Sequence, residues 1–386
     1  MRPRLLFIHL HPSSFVRDDL EILARRYDIR IFHFVGGASG NPFLRGVSLA
    51  RSAIAQALWL CRELPRAGIV YGWFADYHLV LPMLLAQLWR RPSVVVLGGF
   101  DANCLPELGY GVFHSRWRAP LARLVVRRAT FLLAVTPELM QGESRYATWP
   151  DVRRNGILAH VPGLDTPHEI LATGFDPGAW PAGPDERPRS VCTVAGIKSE
   201  RTFLVKGLDI FFEVARLLPE TPFLVVGISE RQRERVQRRH PPPENVRFQD
   251  ALPRSALVEI YGQTSVYLQL SRTEGGLPMV LGEAMLCGCI PVASDAGGMP
   301  GTVGDAGFLV EAPDPPAIAE VVRRALDMGA DPQRGPRARA RARERIAELF
   351  HRETRASRLL AILERLERRK EPTSPNQVYP DEESSR

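Results

Sequence analysis

The sequence predicts an α/β fold of two domains, each a parallel sheet covered by helices on both faces. The chain has 386 residues of which 45% are hydrophobic, enough to bury two cores rather than one. Short apolar runs of strand character alternate with amphipathic helical segments throughout. Glycine-rich turns follow several of these runs. Because ligands of such sheets bind beyond the carboxyl ends of the strands, we expect the functional site where those turns meet.

The first domain is predicted to span residues 1–176. Its strands are expected at 5–10, 28–34, 68–72, 93–97 and 130–135. Ser13 and Ser14 lie in the loop after the first strand, and the acidic pair Asp18 and Asp19 is interpreted as the start of the first helix. The stretch 175–184 is rich in proline and glycine, which is typical of a linker.

The second domain is predicted over residues 188–335, followed by one long helix over 336–370 and a disordered tail over 371–386. Arginine recurs at every second position from Arg337 to Arg343, and an amphipathic pattern then continues through Leu366, which indicates a helix with one buried face. The tail is rich in Pro, Ser and charge, a composition that cannot bury a core.

The most informative segment begins at Glu274 and runs through a glycine turn into a helix. Pro278 suits the first turn of a helix whose apolar residues recur from Leu281. Backbone N–H groups at that helix start are unpaired and lie at the positive end of the helix dipole, which suits a diphosphate. The pattern therefore predicts a site for a nucleotide sugar.

The other residues of this segment have predicted roles at the same site. Gly275, Gly276 and Leu277 form the turn and are expected, with Pro278, to contact the donor. Glu283 is placed to accept hydrogen bonds from two ribose hydroxyls, and Glu274 to meet the sugar. An ordinary strand-loop-helix crossing with a solvated glutamate is the alternative for this short run.

With its flanking residues the segment resembles the GT-B glycosyltransferases of group 1 type, the large retaining family that includes sucrose synthase and bacterial lipopolysaccharide and mannosyl transferases. The residues that match the family pattern are Glu283, Ala284, Met285, Gly288, Pro291, Val292, Gly297 and Gly298. Glu274 departs from it, because eight residues rather than seven separate the two glutamates and Gly275 holds the strict position. A loop bulge with two glycines is expected to bring Glu274 to the site.

The resemblance covers residues 130–330 well and the N-terminal half in architecture. It implies two Rossmann-like domains with parallel sheets facing across a cleft. The donor nucleotide would bind the C-terminal domain, and the acceptor would meet the N-terminal one.

A second matching segment contains Lys206, followed by Gly-Leu-Asp, and resembles the Lys-Gly-x-Asp signature of the family. The resemblance implies that Lys206 meets the nucleotide diphosphate, where a fixed cation stabilises the charge of the leaving group. The family usually has an arginine near Ile197, and Lys198 and Arg201 remain the alternatives for its replacement. Lys206, Glu274 and Glu283 are thus the predicted catalytic residues.

Further contacts follow from the resemblance. Gly227 ends an apolar strand where the family commonly shows Val-Gly-x-Gly, and the nucleobase is placed against Ala251 and Leu252, for which a plain strand-to-helix connection is the alternative.

The predicted acceptor or sugar contacts in the N-terminal domain lie in loops that follow strands. They are Ser13, Ser14, Gly99 and Asp101. Many relatives have a histidine in the loop that contains Gly99, and this chain has none there. Glu107, Tyr110 and His114 are nearby candidates, with a structural or solvent-facing role as the alternative.

The net charge is +7 and the pI about 9.4, which suits an anionic partner. We favour an anionic membrane surface, with a salt-tolerant solvated face as the alternative, and we exclude nucleic acid because no basic module interleaved with aromatics is present. The longest apolar run, near 79–89, is too short to span a bilayer.

Five cysteines without CxxC spacing indicate reduced thiols, so we expect a cytoplasmic protein, with peripheral association at the inner membrane face left open. No Asp-x-Asp metal motif is present, and the sequence therefore predicts neither metal nor cofactor.

The predicted reaction is transfer of a hexose from a nucleoside diphosphate sugar to the hydroxyl of a glycan or lipid-linked acceptor, with retention, in lipid-linked or cell-envelope glycan synthesis. Two alternatives stay open: a non-catalytic sugar-nucleotide or glycan-binding protein, and a GT-B nucleotide-sugar epimerase. The acid-base carboxylates and histidine of such an epimerase have no visible counterpart in this sequence.

Overall fold

The computed structural model describes residues 2–36, 42–143, 146 and 154–368. Within these ranges the chain forms two domains, each built on a six-stranded sheet whose neighbouring strands are all parallel. Helices cover both faces of each sheet. The predicted fold class, with two Rossmann-like domains, is therefore confirmed. The predicted tail over 371–386 lies outside the described residues.

The N-terminal domain follows the predicted strand positions within one or two residues. Its strands are β1 (Arg4–His9), β2 (Asp28–His33), β3 (Ile69–Trp73), β4 (Ser93–Leu97) and β5 (Phe131–Ala134), a two-residue pair β6 (Gly142–Glu143) with β7 (Arg154–Asn155), and β8 (His168–Ile170). Its helices are α1 (Ser14–Ala24), α2 (Pro42–Glu63), α3 (Val80–Leu88), α4 (Arg118–Arg128) and α5 (Ile157–His160). The sheet order is β2-β1-β3-β4-β5-β8, so the apolar β1 lies inside the sheet and is buried on both faces.

The C-terminal domain repeats this architecture. Its strands are β9 (Val191–Val194), β10 (Phe223–Val226), β11 (Val246–Gln249), β12 (Val266–Gln269), β13 (Ile290–Ser294) and β14 (Phe308–Val310), in the order β11-β10-β9-β12-β13-β14. Its helices are α6 (Glu200–Val205), α7 (Leu208–Arg216), α8 (Glu230–Gln237), α9 (Arg254–Gln263), α10 (Met279–Leu286), α11 (Met299–Val303), α12 (Pro315–Ala330) and α13 (Arg334–Leu349). The last helix of the described chain is α14 (Arg352–Arg368).

The single helix predicted over 336–370 is two helices, α13 and α14, separated at Phe350 and His351. The break has a physical reason, because α13 buries Ala342 and Ile346 in the core of the second domain, whereas α14 packs into the core of the first. At the break the Phe175 N–H donates to Phe350 O at 2.7 Å, and the Arg352 N–H donates to Phe175 O at 2.8 Å. The two segments in which the chain passes between the domains, at Phe175 and at 350–352, are thus hydrogen-bonded to each other.

The first helix also differs from expectation. It begins at Ser14, so Asp18 and Asp19 lie in its second turn rather than at its start. Asp19 is fully buried and forms an ion pair with Arg355 of α14, with Nε 2.8 Å from Oδ1. Asp19, which was interpreted as part of the helix start, therefore forms a tertiary contact between α1 and α14.

Candidate active site

The carboxyl ends of the two sheets face each other, and two glycine loops meet between them. Gly99, after β4, has a φ of +130°, and a Cβ built on it would lie 2.1 Å from the Gly275 Cα. A Cβ on Gly275 would lie 2.0 Å from the Gly99 Cα. Because only glycine permits this approach of two backbones, the loop before α10 lies directly against the N-terminal domain.

A cavity of about 380 Å³ opens beside this contact. It brings together Ser14 and all of the donor residues predicted from the segment before α10. The predicted residues that line it are Ser14, Lys206, Glu274, Gly275, Gly276, Leu277 and Pro278. Two segments that lie far apart in the sequence, around Lys206 and around Glu274, thus share one interdomain cavity.

Lys206 and Glu274 are joined directly. The Lys206 ammonium lies 2.5 Å from Oε1 of Glu274, and their side chains are 27% and 12% exposed. The same oxygen accepts a hydrogen bond from the Gln269 amide at 2.8 Å and from the Ser271 hydroxyl at 2.7 Å. The carboxylate of Glu274 is therefore held in a fixed orientation although its position in the sequence is displaced by one residue.

The local fold explains why these segments meet. Gly207 has a φ of +66°, and a Cβ on it would lie 1.8 Å from Leu270 O, so the turn after Lys206 packs against the end of β12. Asp209 and Arg272 form a bidentate ion pair, with Nη1 2.8 Å from Oδ1 and Nη2 2.7 Å from Oδ2. The aspartate of the Lys-Gly-x-Asp signature thus fixes the Glu274 loop beside Lys206.

The Gly-Gly turn after β13 supports the same loop from behind. Gly297 has a φ of +55°, and a Cβ there would lie 2.0 Å from Glu274 O. A Cβ on Gly298 would lie 2.6 Å from Gly276 O. Both glycines of this motif are therefore required by close backbone packing.

Glu283 lies apart from this pair. It lines a neighbouring cavity of about 240 Å³, which shares Ser14 and Met279 with the first. Burial raises the pKa of Glu283 to about 7, an effect that Arg254 opposes and Asp18 reinforces. The structure thus places Glu283 next to the Lys206 cavity and does not bring it into contact with Lys206 or Glu274.

Lys198 and Arg201 do not line the Lys206 cavity, so the structure supports neither as the replacement for the family arginine. Lys198 lines a separate cavity of about 420 Å³ with arginines of α8 and the residues after it. Arg201 donates from Nη1 to Gly109 O at 3.0 Å, across the domain interface. Both residues lie at the start of α6, where Ser199 and Thr202 form a capping box.

The other predicted donor contacts are separate from the cavity lining. Gly227 has a φ of +103°, and a Cβ there would lie 2.6 Å from Ala195 O, so it allows β9 and its following loop to approach. Ala251 is exposed and Leu252 half-buried in the loop before α9. That loop leads to Arg254, which lines the Glu283 cavity.

Two predicted acceptor contacts, Ser13 and Asp101, are not among the residues that line the cavity. Ser13 is the N-cap position of α1, and its buried hydroxyl has no hydrogen-bond partner among the described residues. Asp101 is 1% exposed and accepts from the backbone N–H groups of Ala75, Gly98 and Gly99 at 2.8, 3.1 and 2.8 Å. Burial raises the pKa of Asp101 to about 6 against these hydrogen bonds. Asp101 thus holds the glycine turn and is too deeply buried to touch an acceptor.

Tyr110 lines the cavity, whereas Glu107 and His114 are not among its lining residues. The N-terminal wall also includes aromatic residues that the sequence analysis did not identify, namely Phe15, Trp73, Phe74 and Phe100. Trp73 ends β3 and the others follow β1, β3 and β4, so their positions at or after the carboxyl ends of strands were an available signal. Phe74 has a φ of +68°, a strained conformation for a bulky residue, and packs against Gly98.

Two parallel sheets with facing carboxyl ends, and a lysine–glutamate pair in the cavity between them, define a protein of the GT-B fold. Residues 196–345 match the family model described as glycosyl transferases group 1. The matched stretch lies in the C-terminal domain and α13, and the matched family is the one that the motifs resemble.

Similar proteins agree with this match. The chain is 26% identical over 347 residues to an alpha-maltose-1-phosphate synthase of Mycolicibacterium smegmatis, covering 81% of this chain and 83% of that protein. It is 30% identical over 267 residues to a GDP-mannose-dependent alpha-(1-6)-phosphatidylinositol monomannoside mannosyltransferase of the same organism, covering 63% and 65%. The structure of Anabaena HepE in complex with UDP and glucose superposes with a TM-score of 0.68 at 15% identity, covering 94% of this chain and 100% of that chain. This likeness shows the fold.

Proposed function

We propose that the interdomain cavity transfers a hexose from a nucleoside diphosphate sugar to an acceptor hydroxyl with retention of anomeric configuration. The observation that carries the proposal is the Lys206 ammonium in contact with Glu274 at the glycine turn before α10. The cavity thereby combines a fixed cation with a carboxylate at one point between the domains.

The cation suits the leaving group. A diphosphate that departs from the sugar gains negative charge, and a positioned ammonium stabilises that charge in a site with little water. The unpaired N–H groups at the start of α10, beside Pro278, add the positive end of a helix dipole. An incoming diphosphate competes with Glu274 for the ammonium, which frees the carboxylate to accept hydrogen bonds from sugar hydroxyls.

The comparisons support a nucleotide-sugar donor. The HepE structure contains UDP and glucose, and the mannosyltransferase is named as GDP-mannose-dependent. We extend to this chain only the class of donor that the two proteins share, a nucleoside diphosphate sugar, and we assign no particular base. Glu283 is proposed to accept hydrogen bonds from the ribose in the neighbouring cavity.

Retention is proposed without a protein nucleophile. In this route the acceptor oxygen bonds to the anomeric carbon on the face from which the phosphate oxygen leaves, and that phosphate oxygen takes the acceptor proton. Domain contact at Gly99 and Gly275 would limit access of water, which competes with the acceptor. The acceptor is proposed to be a glycan or a lipid-linked sugar, which meets the aromatic wall of Phe15, Phe74 and Phe100.

Catalysis is proposed to need no divalent ion, because Lys206 and the α10 N-terminus supply the positive charge. Chelation with EDTA is expected to leave transfer unchanged, and loss of transfer that Mg²⁺ or Mn²⁺ restores would contradict this part.

The experiment is a panel of UDP-, GDP- and ADP-sugars, scored first by thermal shift and then by sugar consumption with and without a lipid extract. A donor that raises the Tm and is consumed with the extract supports the transferase. Stabilisation without consumption under either condition favours a sugar-nucleotide-binding protein. No stabilisation by any nucleotide sugar would contradict the proposal.

A further inference from the structure

Gln269 is a polar side chain at the carboxyl end of a strand that is otherwise apolar or aromatic. It is the last residue of β12, all four residues of which are buried, and it is 4% exposed. It also lines the interdomain cavity that contains Lys206 and Glu274. A buried amide needs hydrogen-bond partners for both its NH₂ group and its oxygen. The partners of Gln269 therefore indicate what it does there.

The orientation of the Gln269 amide is set by the carboxylate beside it. Nε2 of Gln269 donates to Oε1 of Glu274 at 2.8 Å. The carboxylate of Glu274, which is paired with Lys206, only accepts hydrogen bonds, so the amide must present its NH₂ group to Glu274 and turn its oxygen away. This Oε1 of Gln269 is buried and has no hydrogen-bond partner among the described residues. One end of the amide thus holds Glu274, and the other end is an acceptor without a donor.

Glu274 has a second acceptor of the same kind. Its three side-chain donors, Lys206, Gln269 and Ser271, all reach Oε1. No described residue donates to Oε2, although Glu274 lines the cavity. Two neighbouring side chains at one place in the cavity wall therefore each carry an oxygen that lacks a donor.

The strands around these oxygens keep them in place. Gln269 pairs with Ala293 in the parallel ladder of β12 and β13. The Ser294 hydroxyl of β13 donates to Ser271 O at 2.6 Å, and both serines are fully buried. When the Lys206 ammonium turns to a diphosphate, Gln269 and Ser271 still hold the Glu274 carboxylate. The two oxygens are thus positioned before a ligand binds.

We propose that Gln269 is a further binding residue for the transferred sugar, and that its Oε1 and Oε2 of Glu274 accept hydrogen bonds from two neighbouring hydroxyls of the hexose. Both oxygens only accept, so the groups that satisfy them must be donors. Hydroxyls on adjacent ring carbons supply two donors side by side. This inference rests on the proposed function and names the class of sugar that the cavity takes, a hexose with two free neighbouring hydroxyls.

The same chemistry separates the sugar from the diphosphate. Phosphate oxygens only accept, so they cannot satisfy Oε1 of Gln269 and would be repelled by Glu274. The diphosphate is therefore left to Lys206, and the hydroxyl-bearing ring to Gln269 and Glu274. A sugar that lacks one of the two hydroxyls would leave a buried acceptor unpaired, which a binding site strongly disfavours.

The test measures binding affinity by titration calorimetry of the full chain. The ligands are UDP-glucose, ADP-glucose and GDP-mannose, their monodeoxy derivatives at each sugar hydroxyl, and the nucleoside diphosphates without sugar. Gln269→Met, which keeps the length of the side chain and removes the amide, is expected to bind the nucleoside diphosphate within about threefold of the unmodified chain and the nucleotide sugar about tenfold more weakly.

The deoxy derivatives distinguish a contact with the sugar from mere support of Glu274. One derivative is expected to bind the unmodified chain about tenfold more weakly than the parent sugar, yet to bind Gln269→Met within about threefold of the parent, because ligand and variant lack the same hydrogen bond. The derivative at the adjacent carbon should show this relation with Glu274→Ala. If Gln269 only supported Glu274, its substitution would weaken all sugars by the same factor.

The matched control is Gln263→Met at the end of α9, where the glutamine is exposed. It is expected to change each affinity by less than about twofold. Thermal unfolding verifies that the variants are folded. If Gln269→Met does not fold, Gln269→Asn keeps an amide in the polar surroundings and withdraws its oxygen by one methylene, and it is expected to lose the same coupling.

Unchanged sugar affinity in Gln269→Met, or an equal loss for every deoxy derivative, would overturn this inference and leave the proposed function standing. Absence of binding of every nucleotide sugar to the unmodified chain would overturn both. Since only binding is measured, the expected coupling does not depend on turnover.

Discussion

Lys206 and Glu274 form an ion pair of 2.5 Å at the meeting point of the two domains. Their segments are brought together by Asp209 and Arg272, and Gly207, Gly297 and Gly298 permit the close backbone packing that this arrangement needs. The pair gives the most direct test of the proposed transfer.

Lys206→Ala is expected to lower kcat about 100-fold to 1,000-fold, because the diphosphate loses its fixed cation. The matched control is Lys198→Ala, since Lys198 lines a different cavity and should leave kcat within about threefold of the unmodified protein. Steady-state transfer with the donor from the panel measures both. If the unmodified protein shows no turnover and Lys206→Ala only weakens nucleotide binding, the result would support a non-catalytic sugar-nucleotide-binding protein.

Gly99→Ala is expected to reduce transfer strongly, because the new Cβ would meet the backbone of Gly275 and separate the domains. Gly163→Ala is the control, since Gly163 also has a positive φ, +66°, but has no atom within 4 Å of the built Cβ. Both variants carry a cost of about 1 kcal/mol for the backbone conformation, so only the first should lose activity. Equal activity in the two would show that the contact is not needed.

Glu283 gives a pH dependence. Burial raises its pKa from 4.5 to about 7, so the folded protein binds this proton more tightly than the unfolded chain and loses stability as the pH rises between these values. Glu283→Gln, which stays neutral, is expected to exceed the unmodified protein in free energy of unfolding by about 1–3 kcal/mol above pH 7. The difference should vanish below about pH 4.5.

Thermal unfolding at pH 5 and pH 8 measures this effect on Glu283. The exposed Glu259→Gln on α9 is the control and should show the same Tm difference at both pH values. A Glu283→Gln advantage that is larger at pH 5 than at pH 8 would contradict the raised pKa.

Arg355→Met is expected to destabilise the protein by about 3–5 kcal/mol, because it leaves the fully buried Asp19 without its cation. The control is Arg25→Met, which breaks the pair between Arg25, just after α1, and Glu353 of α14, where the side chains are 42% and 55% exposed. That change should cost at most about 1 kcal/mol. Equal shifts in Tm would refute the assignment of the Asp19 pair as the main ionic link between α1 and α14.

Much of the fold was predictable because its signals are local. Strand β4 was predicted at its observed bounds, and α10 begins beside Pro278 as expected, since apolar runs and glycine turns depend on neighbouring residues. The break between α13 and α14 was missed, because the pattern of both helices is amphipathic and only their packing on different cores separates them.

The sequence by itself determined the two α/β domains and the residues Lys206, Glu274 and Gly275 through Pro278 of the cavity, because short motifs specify backbone turns and the residues that follow strands. Tertiary structure alone decided that Glu283 occupies a neighbouring cavity, that Lys198 and Arg201 do not line the Lys206 cavity, and that Asp101 anchors a turn. It also joined Asp19 to Arg355 across 336 residues. Burial and contact between distant residues arise from the packing of whole elements, which no short stretch of sequence encodes.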